Sequence, residues 1–287
     1  FFWAWQLHGI YPNIFNKPEE GKEARKLFDD GQRMLEEIIA HKRLRPRAVA
    51  GFWPANSIGE DVEVYSDENR AETIARFHFL RQQRQKRGGQ VCCSLSDNVA
   101  PRDSGRIDYL GGFVVTAGSK VDELAAIFRK EGDDYSAIIM QALGDRLAEA
   151  AAEYLHKIMR DQSGFGKDEG LAAESKIDEE QANFLVKEKY RGIRPAAGYP
   201  SCPDHSEKAN LWQLLDAEAH TGSTLTSSYA MNPPSTVSGF YLNHVDAKYF
   251  NLGLIGKDQV DDYAIRKDIP KTETEKWLRP YLGYDEE

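Results

Sequence analysis

Apolar residues recur at helical spacing in two long stretches of the chain, and each stretch predicts a helix packed against a core. The first covers residues 19–45 and is closed by Pro46, which cannot continue a helix. The second covers residues 133–160 and opens with aspartates suited to capping. Shorter patterns predict helices at residues 72–85 and 211–219, and two more near the end of the chain.

Stretches typical of β-strands lie between these helices. They cover residues 47–53, 62–65 and 109–116, and a hairpin-like pair covers residues 237–242 and 248–255. Connections of both hairpin and helix length indicate an α+β fold, with a mostly antiparallel twisted sheet flanked by helices. Because no repeat or clear linker interrupts the pattern, we expect residues 1–287 to form one domain, for which an extended or curved shape is also allowed.

Composition narrows the class of protein. A chain of 287 residues with 41% hydrophobic and 29% charged residues can bury a sizeable core. Its net charge of −9 argues against nucleic-acid binding, and no apolar stretch approaches the roughly 20 residues that a membrane span needs. The three cysteines form neither a metal-binding spacing nor a disulfide framework, which favours a reducing cytoplasmic setting. The start without Met, in the middle of a pattern, predicts a fragment of a longer protein.

Two basic runs stand out against the acidic net charge, at residues 41–47 and 81–87. One interpretation is that each is a solvated helix end, where cations are favoured by the helix dipole. The other is a docking patch for an acidic protein. The pattern alone leaves both open.

Residues 192–205 combine an irregular backbone with a fork-shaped cation. Three prolines and Gly198 predict an ordered loop that is neither helix nor central strand. Arg194 has the planar donors that bind a carboxylate or phosphate bidentately, and Tyr199 adds a flat apolar face with a polar tip. The loop is therefore predicted to be a small-molecule clamp with Arg194 at its centre.

Two further pairs of residues could contribute to such a site. Asp145 and Glu149 project from one stripe of the long helix, beside its apolar face, where they could hold an ammonium or sulfonium group or simply be solvated. Tyr249 and Phe250 begin a predicted strand, so one ring could line a site while the other packs in the core, or both could be core residues.

Catalysis by a reactive thiol is an alternative function for this loop. Cys202 and His205 lie in the same loop and would form an activated pair if they were hydrogen-bonded, but no third orienting group is evident. The histidines are scattered and show no metal-ligand spacing, so no metal site is predicted.

The motifs taken together resemble one family over nearly the whole chain. Residues 194–200 read Arg-Pro-Ala-Ala-Gly-Tyr-Pro and match the RxxxGYP motif of the activation domain of cobalamin-dependent methionine synthase. Other matching segments are Phe1-Phe2-Trp3-Ala4-Trp5-Gln6-Leu7, Tyr11-Pro12, Gly51-Phe52-Trp53-Pro54-Ala55-Asn56, Asp108-Tyr109-Leu110-Gly111, Asp134-Tyr135, residues 142–150, Ser238-Gly239, Lys248-Tyr249-Phe250 and Leu282-Gly283-Tyr284-Asp285. The ordered set is far more specific than any single motif.

The resemblance implies roles for the site residues. Arg194 would hold the carboxylate of S-adenosylmethionine, and the backbone of Gly198, Tyr199 and Pro200 would lie against its adenosine. Tyr249 and Phe250 would belong to the same pocket, whereas Asp145 and Glu149 would face the region where methyl group and corrinoid meet. No residue of the chain would act as a catalytic acid, base or nucleophile, because the cobalt performs the chemistry.

The resemblance also implies partners. The domain would supply the methyl group for reductive methylation of inactive cob(II)alamin to methylcobalamin, with an electron from a flavodoxin or from the diflavin methionine synthase reductase. Cobalamin would be held mainly by a neighbouring corrinoid-binding module of the same enzyme, so the isolated chain would bind ligand without turnover. A free-standing module that reactivates another corrinoid protein in trans remains an alternative.

Overall fold

A computed structural model describes residues 1–83, 88, 91–169 and 177–285. The helices in these residues are α1 (Gly21–Ala40), α2 (Lys120–Lys130), α3 (Asp134–Ser163), α4 (Glu179–Val186), α5 (Glu207–Leu215), α6 (Ala217–Thr221), α7 (Lys257–Lys267) and α8 (Lys271–Leu278). The strands are β1 (Arg47–Ile58), β2 (Asp61–Tyr65), β3 (Thr73–His78), β4 (Asp108–Thr116), β5 (Thr224–Leu225), β6 (Met231–Asn232) and β7 (Thr236–Tyr241).

The five longer strands form one antiparallel sheet in the order β3-β2-β1-β4-β7. A separate short ribbon pairs β5 with β6. The α+β class with a mostly antiparallel sheet is thus confirmed, as are the predicted strands that correspond to β1, β2 and β4. The predicted long helices correspond to α1 and α3, and the Asp133 carboxylate accepts a hydrogen bond from the Ser136 backbone N–H at 2.9 Å, as the capping pattern predicts.

Helices cover both faces of the sheet. Since side chains alternate along a strand, Val114 of β4 faces one side and Phe113 faces the other. Val114 belongs to the same buried cluster as Leu211 of α5, and Phe113 to the same cluster as Ala152 of α3. Gly112 lets α5 come close, because a Cβ there would lie 2.5 Å from Leu211 Cδ1. The sheet therefore forms the middle layer between α5 and α3.

The helix predicted at residues 72–85 is wrong. Residues 73–78 form β3, which pairs with β2 through contacts such as Val62 opposite Phe77. Ala75 and Phe77 alternate with polar Arg76 and His78, a period of two that the run of good helix formers downstream obscured. Part of the second basic run, residues 84–87, lies outside the described residues, so its docking interpretation stays a prediction.

The strand predicted at residues 248–255 is also wrong. This segment carries no strand ladder, and its backbone bonds elsewhere: the Leu252 N–H donates to the Pro200 carbonyl at 2.9 Å, and the Ile255 N–H to the Tyr281 carbonyl at 2.9 Å. The edge of β7 that it was expected to pair with is taken by residues 193–195.

Among the described residues, no helix combines the length and apolar character required to cross a bilayer.

Candidate functional site

The loop of residues 192–205 is attached to the free edge of β7. Ile193 and Leu242 exchange two backbone hydrogen bonds at 3.0 and 3.1 Å, and the Phe240 N–H donates to the Pro195 carbonyl at 2.9 Å. Arg194 lies between these two anchor points. Its own N–H donates to the Tyr249 hydroxyl at 3.1 Å, which ties the segment of residues 248–255 to the loop.

Gly198 makes the tight turn that follows. Its φ of 100° is strained for any residue with a Cβ, and a Cβ there would lie 2.2 Å from His205 Cε1. The turn is closed by hydrogen bonds from the Gly198 N–H to the Cys202 carbonyl at 2.7 Å and from the Cys202 N–H to the Tyr199 carbonyl at 2.8 Å. Glycine is therefore required twice, by the backbone angle and by the imidazole packed against it.

A cleft of about 680 Å³ opens beside this loop. Six of the eight predicted ligand residues line it, namely Glu149, Arg194, Tyr199, Pro200, Tyr249 and Phe250. The structure thus brings together residues that are up to 101 positions apart in sequence. Gly198 shapes the loop without lining the cleft, and Asp145 also lies outside the lining, where its carboxylate accepts a hydrogen bond from the Ser235 hydroxyl at 2.7 Å.

Arg194 is held at one end of its guanidinium. Its Nη1 donates to Glu153 Oε2 at 2.6 Å and to the Tyr190 hydroxyl at 2.7 Å. Its Nε and Nη2 make no hydrogen bond with the residues that the structure describes. The arginine therefore keeps one edge available, and two parallel N–H donors along that edge suit a carboxylate.

A buried polar cluster lies behind Arg194. The Arg160 guanidinium is 1% exposed and lies 3.7 Å from the centroid of the Tyr190 ring, with Glu169 Oε2 at 3.2 Å. The His156 ring meets the edge of Tyr190 at 5.1 Å and stacks on Tyr241 at 4.8 Å. Tyr190, which holds Arg194, is therefore itself packed between Arg160 and His156.

His156 is neutral in this cluster. Burial lowers the pKa of its imidazole well below the ordinary value, and the charges of Arg160 and Arg194 lower that pKa further. Arg160 Nη1 donates to His156 Nδ1 at 3.3 Å, which assigns the ring proton to Nε2. Protonation of Nδ1 would break this hydrogen bond and add a third cation to the cluster.

We expect the stability of the protein to fall as the pH drops below about 6.5, where the unfolded chain takes up a proton on this residue and the folded chain does not. The loss from His156 is up to about 1.4 kcal/mol per pH unit. Urea unfolding of wild type and His156→Gln between pH 7.5 and 5.5 measures it. The variant should show the shallower pH dependence; equal slopes would contradict a buried neutral His156.

A second buried network holds the far end of the loop. Lys267 of α7 donates through Nζ to Asp204 Oδ2 at 2.7 Å and to Glu207 Oε1. The Tyr263 hydroxyl donates to the same Asp204 oxygen at 2.8 Å, and Glu207 Oε2 accepts from the His78 N–H at 3.0 Å. Asp204 and Glu207 are 2% and 0% exposed. One lysine thus supplies the cation for two buried carboxylates that join α7, α5 and the loop.

Cys202 is not arranged as a nucleophile. Its side chain is buried, and burial raises the pKa of the thiol well above its ordinary value, with the charges of Glu207 and Asp204 raising it further. His205 Nδ1 accepts a hydrogen bond from Lys208 Nζ at 2.7 Å, so it is not directed at the thiol. The two residues shape the turn, and the thiol-enzyme alternative has no geometric support.

The sequence arguments missed several residues of the site. Glu153 follows Glu149 by four positions, so the helical stripe that singled out Asp145 and Glu149 could have included it. Tyr190, Glu188 and Lys208 gave no comparable signal. Glu188 and Lys208 line the cleft directly, and Tyr190 acts through Arg194.

Comparison with known proteins identifies similar sequences and structures. Residues 1–268 match the family model for the activation domain of vitamin B12 dependent methionine synthase. A crystal structure of the MetH reactivation domain bound to AdoHcy is 48% identical in sequence, with a TM-score of 0.89. The match covers 99% of this chain and 85% of that chain. Both findings agree with the resemblance carried by the sequence motifs.

Proposed function

Because the chain belongs to the activation-domain family of vitamin B12 dependent methionine synthase, we propose that it binds S-adenosylmethionine in the cleft beside Arg194. There it supplies the ligand's methyl group to a corrinoid that a neighbouring module of the enzyme holds. The related MetH reactivation domain was crystallised with AdoHcy, which is S-adenosylmethionine without the transferred methyl group. The observation that carries the proposal is the available Nε–Nη2 edge of Arg194 in an aromatic-walled cleft.

Each part of the ligand has a chemically suitable partner in the cleft. The Arg194 edge takes the ligand carboxylate bidentately. The rings of Tyr249 and Phe250 attract the sulfonium cation and offer apolar surface to the adenosine. Glu149 and Glu188 line the same cleft and supply negative charge for the ligand's ammonium and sulfonium groups.

The loop turn contributes backbone groups and shape. Tyr199 and Pro200 line the cleft, and the Leu252 N–H bonded to the Pro200 carbonyl holds the turn against the segment that carries Tyr249. In this proposal the adenosine lies along the Gly198-Tyr199-Pro200 backbone. Because both sides are tied together before any ligand binds, little ordering of the protein is needed on binding.

The corrinoid supplies a cobalt centre that accepts the methyl group when it is bound. Among the described residues, no group of three or more His, Cys, Asp or Glu side chains is placed to hold a metal ion. In this proposal the corrinoid is held mainly by the neighbouring module. Its part is to position the methyl donor and to present Asp145 and Glu149 of α3 towards the corrinoid. An electron from a flavodoxin or methionine synthase reductase completes the reductive methylation.

Calorimetric titration of the chain with S-adenosylmethionine and with S-adenosylhomocysteine tests the proposal. We expect one site for each ligand and no methyl transfer by the chain alone, because the cobalt is absent. Adenosine serves as the control and should bind more weakly, since it lacks the carboxylate that Arg194 would hold. Failure of both amino-acid-bearing ligands to bind at millimolar concentration would contradict the assignment.

A further inference from the structure

Tyr190 is one of the two residues that hold the Arg194 guanidinium, together with Glu153. It is absent from the cleft lining, its side chain is 9% exposed, and its hydroxyl accepts from Arg194 Nη1 at 2.7 Å. The ring itself is fixed from two directions, by the Arg160 guanidinium at 3.7 Å from its centroid and by His156 edge-on at 5.1 Å. Its position relative to the α3 residues is therefore strongly determined.

We propose that Tyr190 is the positioning residue that aims the guanidinium of Arg194 into the cleft. This inference rests on the proposed function and adds what orients the Arg194 guanidinium. Nη1 is shared between Tyr190 and Glu153, so the guanidinium plane is defined by two acceptors on one nitrogen. The opposite edge, Nε and Nη2, is thereby turned towards the ligand carboxylate.

Glu153 alone would orient the arginine less well. A carboxylate has two oxygens and can follow a guanidinium as it swings, so a single contact at 2.6 Å permits several orientations. The Tyr190 hydroxyl lies at the end of a rigid ring with two rotatable bonds, and that ring is clamped between Arg160 and His156. The tyrosine removes the remaining freedom of Arg194.

Two Tyr→Phe substitutions within the same cluster provide a matched test. Tyr190→Phe removes the hydroxyl that Arg194 uses but keeps an uncharged ring and its contact with Arg160. Tyr241→Phe removes a buried hydroxyl that has no hydrogen-bond partner among the described residues, from a ring that also packs against His156. Because both variants keep their aromatic rings, a difference in ligand binding between them reports on the hydroxyl that Arg194 uses.

Wild type and both variants are titrated with S-adenosylhomocysteine and with its decarboxylated derivative. We expect Tyr190→Phe to weaken binding of S-adenosylhomocysteine about tenfold, the effect of losing one hydrogen bond to a charged group, and to leave the derivative nearly unaffected. Tyr241→Phe should match wild type with both ligands. Each ratio of affinities is measured on one protein sample, so partial unfolding changes both values together.

The ratio decides the outcome. A ratio for Tyr190→Phe equal to that of wild type overturns the positioning role. If wild type binds both ligands equally well, the proposed contact between Arg194 and the ligand carboxylate is contradicted, and so is the positioning role. If wild type binds neither ligand, the proposed function itself fails, which is a result distinguishable from the other two.

Discussion

Arg194→Ala is expected to lose about 2–5 kcal/mol of the binding free energy for S-adenosylhomocysteine, roughly a 30-fold to several-thousand-fold rise in the dissociation constant. The guanidinium is mostly buried, with its side chain 15% exposed, and its available edge is the bidentate partner that we propose for the ligand carboxylate. Removing it deletes that contact and leaves Glu153 without its cation. Calorimetric titration measures the change.

Arg191→Ala is the matched control for that substitution. Arg191 lies three positions earlier in the same stretch, is exposed, and donates to the Phe165 carbonyl at 3.0 Å, outside the cleft. The Arg191→Ala variant should bind the ligand with the affinity of wild type. Arg194→Lys should restore only part of the affinity, because a lysine keeps the charge and lacks the planar fork. Equal affinities of Arg194→Ala and wild type would overturn the position assigned to the ligand carboxylate.

Lys267→Met should cost about 3–5 kcal/mol of the free energy of unfolding. The substitution keeps an unbranched side chain of similar length but leaves the carboxylates of Asp204 and Glu207 buried without a cation. Burial already raises the pKa of Glu207, and Lys267 opposes that rise. Urea denaturation at pH 7.5 measures the loss.

The control for this substitution is Lys271→Met. Lys271 pairs with Asp261 at 2.5 Å, but the two side chains are 32% and 48% exposed, so the pair should contribute less than about 1 kcal/mol. If the two variants unfolded at the same urea concentration, the buried network would not be a principal anchor of the loop. Because Asp204 belongs to that loop, Lys267→Met should also weaken ligand binding in the fraction that remains folded.

Strong local periodicity made the long helices and the central strands predictable. The stretch at residues 133–160 repeats apolar residues over many turns, so small errors in single positions do not change the prediction of α3. The strand at residues 73–78 has only six residues, too few for its period of two to stand out from the helix formers that follow it. Its strand identity depends on pairing with β2, a contact that propensity does not describe.

In the site, too, local sequence patterns predicted some features and tertiary contacts decided others. The motif around Arg194 predicted the loop, and the structure gathers Arg194, Tyr199, Tyr249 and Phe250 in one cleft with Glu149. The prediction that Tyr249 begins a strand was wrong, yet its ring lines the cleft. Its hydroxyl accepts from the Arg194 N–H, a contact between residues 55 positions apart that no local pattern encodes.

The sequence by itself determined the family, the α+β class and the loop that carries Arg194, because these depend on residue identity, motif order and local spacing. Only the tertiary structure decided how the arginine is aimed and what anchors its loop. Glu153 lies 41 positions from Arg194, and Lys267 lies 63 positions from Asp204. Such contacts form when packing excludes water and buried charges must find partners, wherever the chain brings them together.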